Sequence, residues 1–300
     1  EVAETETTRV SDYVLPAPVG YEKWEVANFP KAYPLLGTQV RPPALVPPEG
    51  TLAEPEIYHR LALAAGVVVP APGVLNGLAR RARQPVGALV YLAALFTLAF
   101  LWTWRLHRVL PMVLFWAYET LGPLLEDRSL AAIWLNCQGV AWTRRAEVAR
   151  RLPETAGRWN RSAVGNQLFD EVMAHPEGVI LGETDPETEL DDHIGHSDGR
   201  VRLAPEPMLG EIARALAETE SVDPEFPFVL NGGMRTHWTA NTNFRDPAWR
   251  KGRGPHCALR MNDGDAERLG ITKGDRVRVR SRTGAVTLPA LPESHVQAGH

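Results

Sequence analysis

Phe226-Pro227-Phe228-Val229-Leu230-Asn231-Gly232-Gly233-Met234-Arg235-Thr236-His237-Trp238-Thr239-Ala240-Asn241-Thr242-Asn243 is the stretch around which the chain is organised. Phe226 to Leu230 is an apolar run and reads as a strand. Asn231-Gly232-Gly233 follows as a turn, and Gly232 and Gly233 let backbone come close to a ligand. Arg235, Thr236, His237, Trp238, Thr239, Asn241, Thr242 and Asn243 then bring together a guanidinium, an imidazole, an indole, hydroxyls and amides. Such a set can hold phosphate together with a hydrogen-bonding heterocycle. A polar surface loop is the alternative, and side-chain chemistry alone leaves both open.

Downstream, the pattern is mainly β. Asn262 or Asp263 can cap a short helix over Ala266 to Leu269, which Gly270 terminates. Arg276-Val277-Arg278-Val279-Arg280 alternates with period two, one face basic and one apolar. Arg282-Thr283-Gly284 reads as a hairpin turn, with Ala285 to Leu288 as the returning strand. The outward arginines can meet a phosphate or simply solvent.

Upstream, Tyr13-Val14-Leu15 is a short apolar run closed by prolines and reads as a buried strand. Residues 29–50 are proline-rich and read as an extended connector. A helix is expected to begin near Leu52, with Pro55 in its first turn and acidic residues at its start. Residues 85–104 carry no charge between Arg83 and Arg105. The run is long enough to span a membrane, with Trp102 and Trp104 suited to an interface. Val109 to Leu125 is also apolar but holds Glu119 and two prolines, which favours packed helices over a span. Asp127 to Leu152 has helical spacing with Arg144, Arg145, Arg150 and Arg151 outward. Ser162 to Ala174 is an amphipathic helix with Val164, Leu168, Phe169, Val172 and Met173 as its stripe. Gly178 to Leu181 is a strand, Glu183 to His196 an acidic loop, and Met208 to Glu220 a helix. Carboxylates with His193 and His196 in that loop have the donor types for a divalent metal, but its Pro186, Gly195 and Gly199 favour a mobile loop. Glu22 and His107 read as ordinary surface and helix residues, and Cys137 as a buried, inert thiol.

The 300 residues suggest about two domains, and a hydrophobic fraction of 44% is enough for real cores. A balance of 32 basic against 36 acidic residues, net −4, gives no argument for nucleic acid. Cys137 and Cys257 form no CxxC pattern, which excludes a cysteine-rich zinc or iron–sulfur site within the chain. The same usage fits a reducing compartment, so a cytoplasmic location is expected, with association to a membrane through residues 85–104 as the variant. The chain has no signal peptide, but it is expected to be an internal fragment of a longer protein, so a missing targeting signal carries little weight.

From about Pro224 onward the sequence resembles the molybdopterin oxidoreductases, the dimethyl sulfoxide reductase and formate dehydrogenase-like family. The resemblance rests on Leu230-Asn231-Gly232-Gly233-Met234-Arg235, Asn241 to Trp249, Ala258 to Asn262, Asp265-Ala266, Leu269-Gly270-Ile271, Gly274 to Val277 and Ser281 to Gly284. Ser11 to Pro16 and Thr120-Leu121-Gly122-Pro123 match segments of the same family upstream. His237-Trp238-Thr239 is similar to a formate dehydrogenase pattern. The resemblance implies a Rossmann-like α/β domain with a helical insert over residues 1–223. Residues 224–300 would be a dinucleotide-binding β-barrel of double-psi type, truncated at its C-terminus. It implies a bis-molybdopterin guanine dinucleotide cofactor carrying molybdenum or tungsten, used for two-electron chemistry on a small-molecule substrate. Electron-transfer subunits are the expected partners, and any iron–sulfur cluster would belong to upstream segments. Gly232, Gly233, Arg235, Thr236, His237, Trp238, Thr239, Asn241, Thr242 and Asn243 are the expected cofactor-binding residues. No residue of this chain is carried over as catalytic or metal-ligating, and Cys257 does not match the family's ligand position. A non-catalytic cofactor-binding or assembly module and a membrane-associated subunit are the alternatives.

Overall fold

The computed structural model describes residues 2–5, 7–28, 34–183, 185–187, 194–217, 223–232 and 258–300. The chain divides into two compact units, residues 1–201 and 202–300.

In the first unit, strands β1 (Glu25–Asn28) and β2 (Leu35–Arg41) pair antiparallel, Glu25 opposite Arg41. Seven helices follow: α1 (Glu54–Ala64), α2 (Gly73–Ala79), α3 (Pro85–Thr103), α4 (Leu106–Thr120), α5 (Leu130–Thr143), α6 (Arg145–Arg151) and α7 (Arg161–Ala174). The chain then returns as β3 (Val179–Glu183), antiparallel to β2, so the sheet order is β1-β2-β3. The whole helical region is thus an excursion between two neighbouring strands.

Local chemistry sets the helix limits. Pro55 sits in the first turn of α1, and Glu54 and Glu56 face the positive end of its dipole. Helix α3 stops at Trp104, whose φ of 50° is left-handed. At the turn after α4, a Cβ on Gly122 would lie 2.9 Å from the Arg128 Cα, so only glycine fits without a shift. Arg144 breaks the expected single helix into α5 and α6. Asn160 caps α7 by accepting the Ala163 N–H at 3.2 Å.

One core joins these helices. Tyr91, Leu95, Trp116 and Trp134 are fully buried in it, as are Val164 and Val172 of the anticipated α7 stripe. Some of its polar groups are paired: Tyr91 Oη donates to Thr120 Oγ1 at 2.8 Å, Thr120 donates to the Trp116 carbonyl, and Trp116 Nε1 donates to the Val69 carbonyl. Glu119 accepts the Ala71 N–H at 3.0 Å and lies 3.7 Å from the buried His59. Cys137 is buried, and burial pushes its thiol up to about 12, in keeping with an inert residue.

Three expectations are corrected. Tyr13 to Leu15 joins neither sheet and is exposed, because Pro16 and Pro18 remove ladder donors where a strand would continue. The proline-rich connector contains the central strand β2, which begins just after Pro34 and ends at Arg41, just before Pro42. Phe226 to Leu230 is not a strand: Phe226 forms only an isolated bridge with Asp223, and Phe228, Val229 and Leu230 are exposed. Pro227 interrupts the donors there.

The second unit begins with α8 (Glu206–Ala217), which buries none of its residues. Strand β4 (Leu259–Asn262) leads into the short helix α9 (Asp263–Leu269), then β5 (Arg276–Arg280) and β6 (Ala285–Glu293). Asn262 caps α9, and Gly270, at φ 66°, ends it as anticipated. Among the described residues the sheet order is β4-β6-β5, with β4 parallel and β5 antiparallel to β6. Met261, Ala266 and Ala290 form the small core, with Leu259, Ile271 and Val277 packed on it.

Candidate functional site

The candidate site is the stretch of residues 233–257, whose two flanks are described. Gly232 closes the first end, and Ala258, just before β4, opens the second. Gly233, Arg235, Thr236, His237, Trp238, Thr239, Asn241, Thr242 and Asn243 lie outside the described residues, as does Cys257. Among the described residues, nothing lies within 4 Å of where a Cβ would stand at Gly232.

The flanks of this stretch are held by polar contacts within the second unit. Val229 N–H donates to the Gly299 carbonyl at 2.8 Å, and Asn231 Nδ2 is 3.0 Å from His300 Nδ1. Gly299 N–H in turn donates to Asp265 Oδ2 at 2.7 Å. Asn262 uses both ends of its amide: Oδ1 accepts the Gly264 and Asp265 N–H groups, and Nδ2 donates to the Val296 carbonyl at 2.7 Å. Residues 296–300 are therefore held between Asn262 and Asp265 on one side and Val229 and Asn231 on the other. The Arg268 guanidinium sits 5.8 Å from the Phe228 ring centre and bonds Asp265 at 2.8 Å.

The hairpin supplies a second brace. Arg280 bonds Glu225 at 2.9 Å and stands 4.9 Å from the Phe226 ring centre. Arg282 bonds Asp223 at 2.5 Å. Two of the β5 hairpin arginines thus position the loop entry, a role that alternation alone did not reveal. The clamp was also missed: Asp265 appeared only as part of a family pattern, and its partner Gly299 carries no side-chain signal.

The clamp has a pH signature. Arg268, and then the Gly299 N–H, hold the Asp265 carboxyl below its ordinary value. A depressed folded-state value means the contribution is fully present above about pH 4 and is lost as pH falls through the folded value. Asp265→Asn is expected to lower the thermal midpoint of the second unit at neutral pH and to flatten its acid limb. Melting curves between about pH 2 and pH 7 check this; parallel curves for both proteins would refute the clamp.

In the first unit, Lys23, Trp24, Glu25, Glu54, Asp127 and Ser129 line a groove of about 540 Å³, with a Lys23–Glu54 ion pair at its wall. Among the described residues no cluster of His, Cys, Asp and Glu could hold a metal ion.

Residues 228–300 match the family model described as the molydopterin dinucleotide binding domain. Comparison with curated proteins gave no match, and comparison with solved structures gave none either.

Proposed function

We propose, from the molybdopterin oxidoreductase C-terminal region that residues 228–300 form, that this chain holds one end of a molybdopterin guanine dinucleotide in a two-electron oxidoreductase. The family match is the observation that carries this reading. The bonds of Asn262, Asp265, Arg280 and Arg282 that brace the flanks of the stretch support it. The donor set fits the group. Arg235 would neutralise pyrophosphate, Thr236, Thr239, Asn241, Thr242 and Asn243 would donate to phosphate or the pterin edge, and His237 and Trp238 would pack on or bond the pterin. When bound, the cofactor supplies a dithiolene-chelated molybdenum or tungsten that takes two electrons from or gives two to the substrate. This chain's own contribution is binding, orientation and charge neutralisation.

Within this reading residues 1–223 belong to an α/β domain whose helical insert is α1 to α7, and residues 224–300 to a double-psi barrel. The parallel β4–β6 pair beside the antiparallel β5–β6 pair supports the second assignment. Formate-dehydrogenase-like chemistry is the finer assignment, resting on His237-Trp238-Thr239.

The test is metal and pterin content of the protein purified natively from its own host. Roughly one molybdenum or tungsten and two pterins per chain is the expected result. Arg235→Ala is expected to lose most of the pterin while the protein remains folded. Wild-type protein with neither metal nor pterin, from cells that load other molybdoenzymes normally, would replace this reading with a non-catalytic assembly module.

A further inference from the structure

Helix α3 carries an outer face that a soluble surface helix does not. Ala88, Tyr91, Leu95 and Ala99 form its inner stripe and are fully buried. The opposite side should be polar if it met only water. Instead Val90, Phe96, Phe100 and Leu101 are exposed outside that stripe, Trp102 is exposed in the last turn, and Trp104 beyond the helix end is 76% exposed. Leu110 and Leu114 extend the same kind of surface along α4. An apolar surface built from so many large residues marks an interaction site.

The charge around this surface has one sign. From Ile57 to Tyr118 there is no acidic residue, although the chain as a whole is at −4. The same stretch holds Arg60, Arg80, Arg81, Arg83, Arg105 and Arg108. Arg60 is paired with Glu56 and Arg83 with Asp170. Arg80, Arg81, Arg105 and Arg108 are exposed and form no ion pair among the described residues. Arg80 and Arg81 precede α3, while Arg105 and Arg108 follow it beside Trp102 and Trp104. Basic residues therefore stand at both ends of an apolar helix, and indoles stand beside two of them.

We propose that the outer face of α3 and α4 docks on the surface of an anionic lipid leaflet, lying in the interface without crossing it. Phe, Leu and Trp side chains would enter the headgroup boundary, and the four arginines would meet lipid phosphates. Indole rings favour that depth because one edge is polar. Crossing is opposed by the inner stripe: withdrawing α3 would strip Tyr91 of its bond to Thr120 and expose a face now fully buried. Its length and mean hydropathy of 2.0 do meet the requirement for a span, so only the packing separates the two arrangements. A second copy on this face is opposed by charge, since a two-fold contact would set the same unpaired arginines against one another.

The test is co-sedimentation of the purified chain with vesicles of phosphatidylcholine alone and of phosphatidylcholine with phosphatidylglycerol. Binding is expected to the mixed vesicles and to be about tenfold or more weaker to the neutral ones. Arg105→Glu with Arg108→Glu should reduce binding to the mixed vesicles by at least about tenfold. Phe100→Glu with Trp104→Glu should abolish it, and raised salt should weaken it. These positions are exposed, so circular dichroism and the melting midpoint should not move. Brominated lipid should quench tryptophan fluorescence in the wild type and not in the Phe100→Glu, Trp104→Glu variant. Absence of binding to mixed vesicles would overturn the proposal. So would equal binding to both lipids, or a dimer in lipid-free solution broken by the same substitutions, which would assign the face to a second copy. Retention of the protein in host membranes after alkaline carbonate would overturn it in favour of a span.

Discussion

Gly87→Ala is expected to destabilise the first unit by about 3 kcal/mol, the opposite of what the same change does at an ordinary helix position. Gly87 lies in the first turn of α3. A Cβ there would stand 1.8 Å from the Arg81 carbonyl oxygen and 2.6 Å from its carbon. These are backbone atoms, and they are held: Gln84 N–H donates to that same carbonyl at 2.9 Å. On the other side of the contact, Asn160 Nδ2 donates to the Pro85 carbonyl at 2.6 Å, which fixes the start of α3. Neither wall can retreat without breaking a bond. Gly77 in α2 and Gly139 in α5 have nothing within 4 Å of their Cβ positions, so alanine there should stabilise by about 0.5–1 kcal/mol. Thermal denaturation of the three variants separates the cases. For a unit of this size Gly87→Ala should lower the midpoint by about 6–12 °C, while the other two raise it slightly. Equal shifts for all three would show that α3 does not pack against the turn before it.

The elements legible in sequence were those whose limits are set by neighbours in the chain. Pro55 with Glu54 and Glu56 announced α1, the Asn262 and Gly270 pair bounded α9, and the alternating Arg276 to Arg280 with Arg282-Thr283-Gly284 gave the hairpin. Strand β2 was not legible, because prolines bracket it and its partner β3 lies beyond the entire helical region. Tyr13 to Leu15 and Phe226 to Leu230 show the converse. An apolar run is necessary for a buried strand but not sufficient, and among the described residues neither run belongs to a sheet. For α3 the difficulty was different: apolar residues surround the whole helix, so no periodicity could say which face would be buried. Packing against α2, α4 and α7 selected Ala88, Tyr91, Leu95 and Ala99, and left the aromatic face outside. The candidate site was proposed from chemistry, through its glycines and dense donors, and all of its residues but Gly232 lie outside the described ones. Its support was not legible, since Asp265 and Gly299 meet only after β4, β5 and β6 have assembled.

The second large effect is expected at Asn166, a buried residue of α7 that joins three elements of the helical region. Its Oδ1 accepts from Trp134 Nε1 at 2.7 Å and from Gln138 Nε2 and Arg83 at 3.3 Å, while Nδ2 donates to the Ala82 carbonyl at 3.0 Å. Gln138 is also confined by Gly165, where a Cβ would lie 2.5 Å from its Oε1, so the amide cannot swing to a new partner. Asn166→Leu keeps nearly the same volume and therefore opens little cavity. What it removes is polar: a buried indole N–H, a buried amide and a buried carbonyl lose their partner together. Each orphaned group costs about 1–3 kcal/mol, so a loss of about 3 kcal/mol or more is expected. The matching control is Trp134→Phe, which deletes one of the donors. If the indole N–H is orphaned by Asn166→Leu, the double variant should lose less than the sum of the singles, with a coupling of about 1–2 kcal/mol. Strict additivity in chemical denaturation would mean that the bond from the Trp134 indole to Asn166 contributes nothing. The expected coupling would instead make this amide the polar junction that fixes α7 against α5 and the turn before α3.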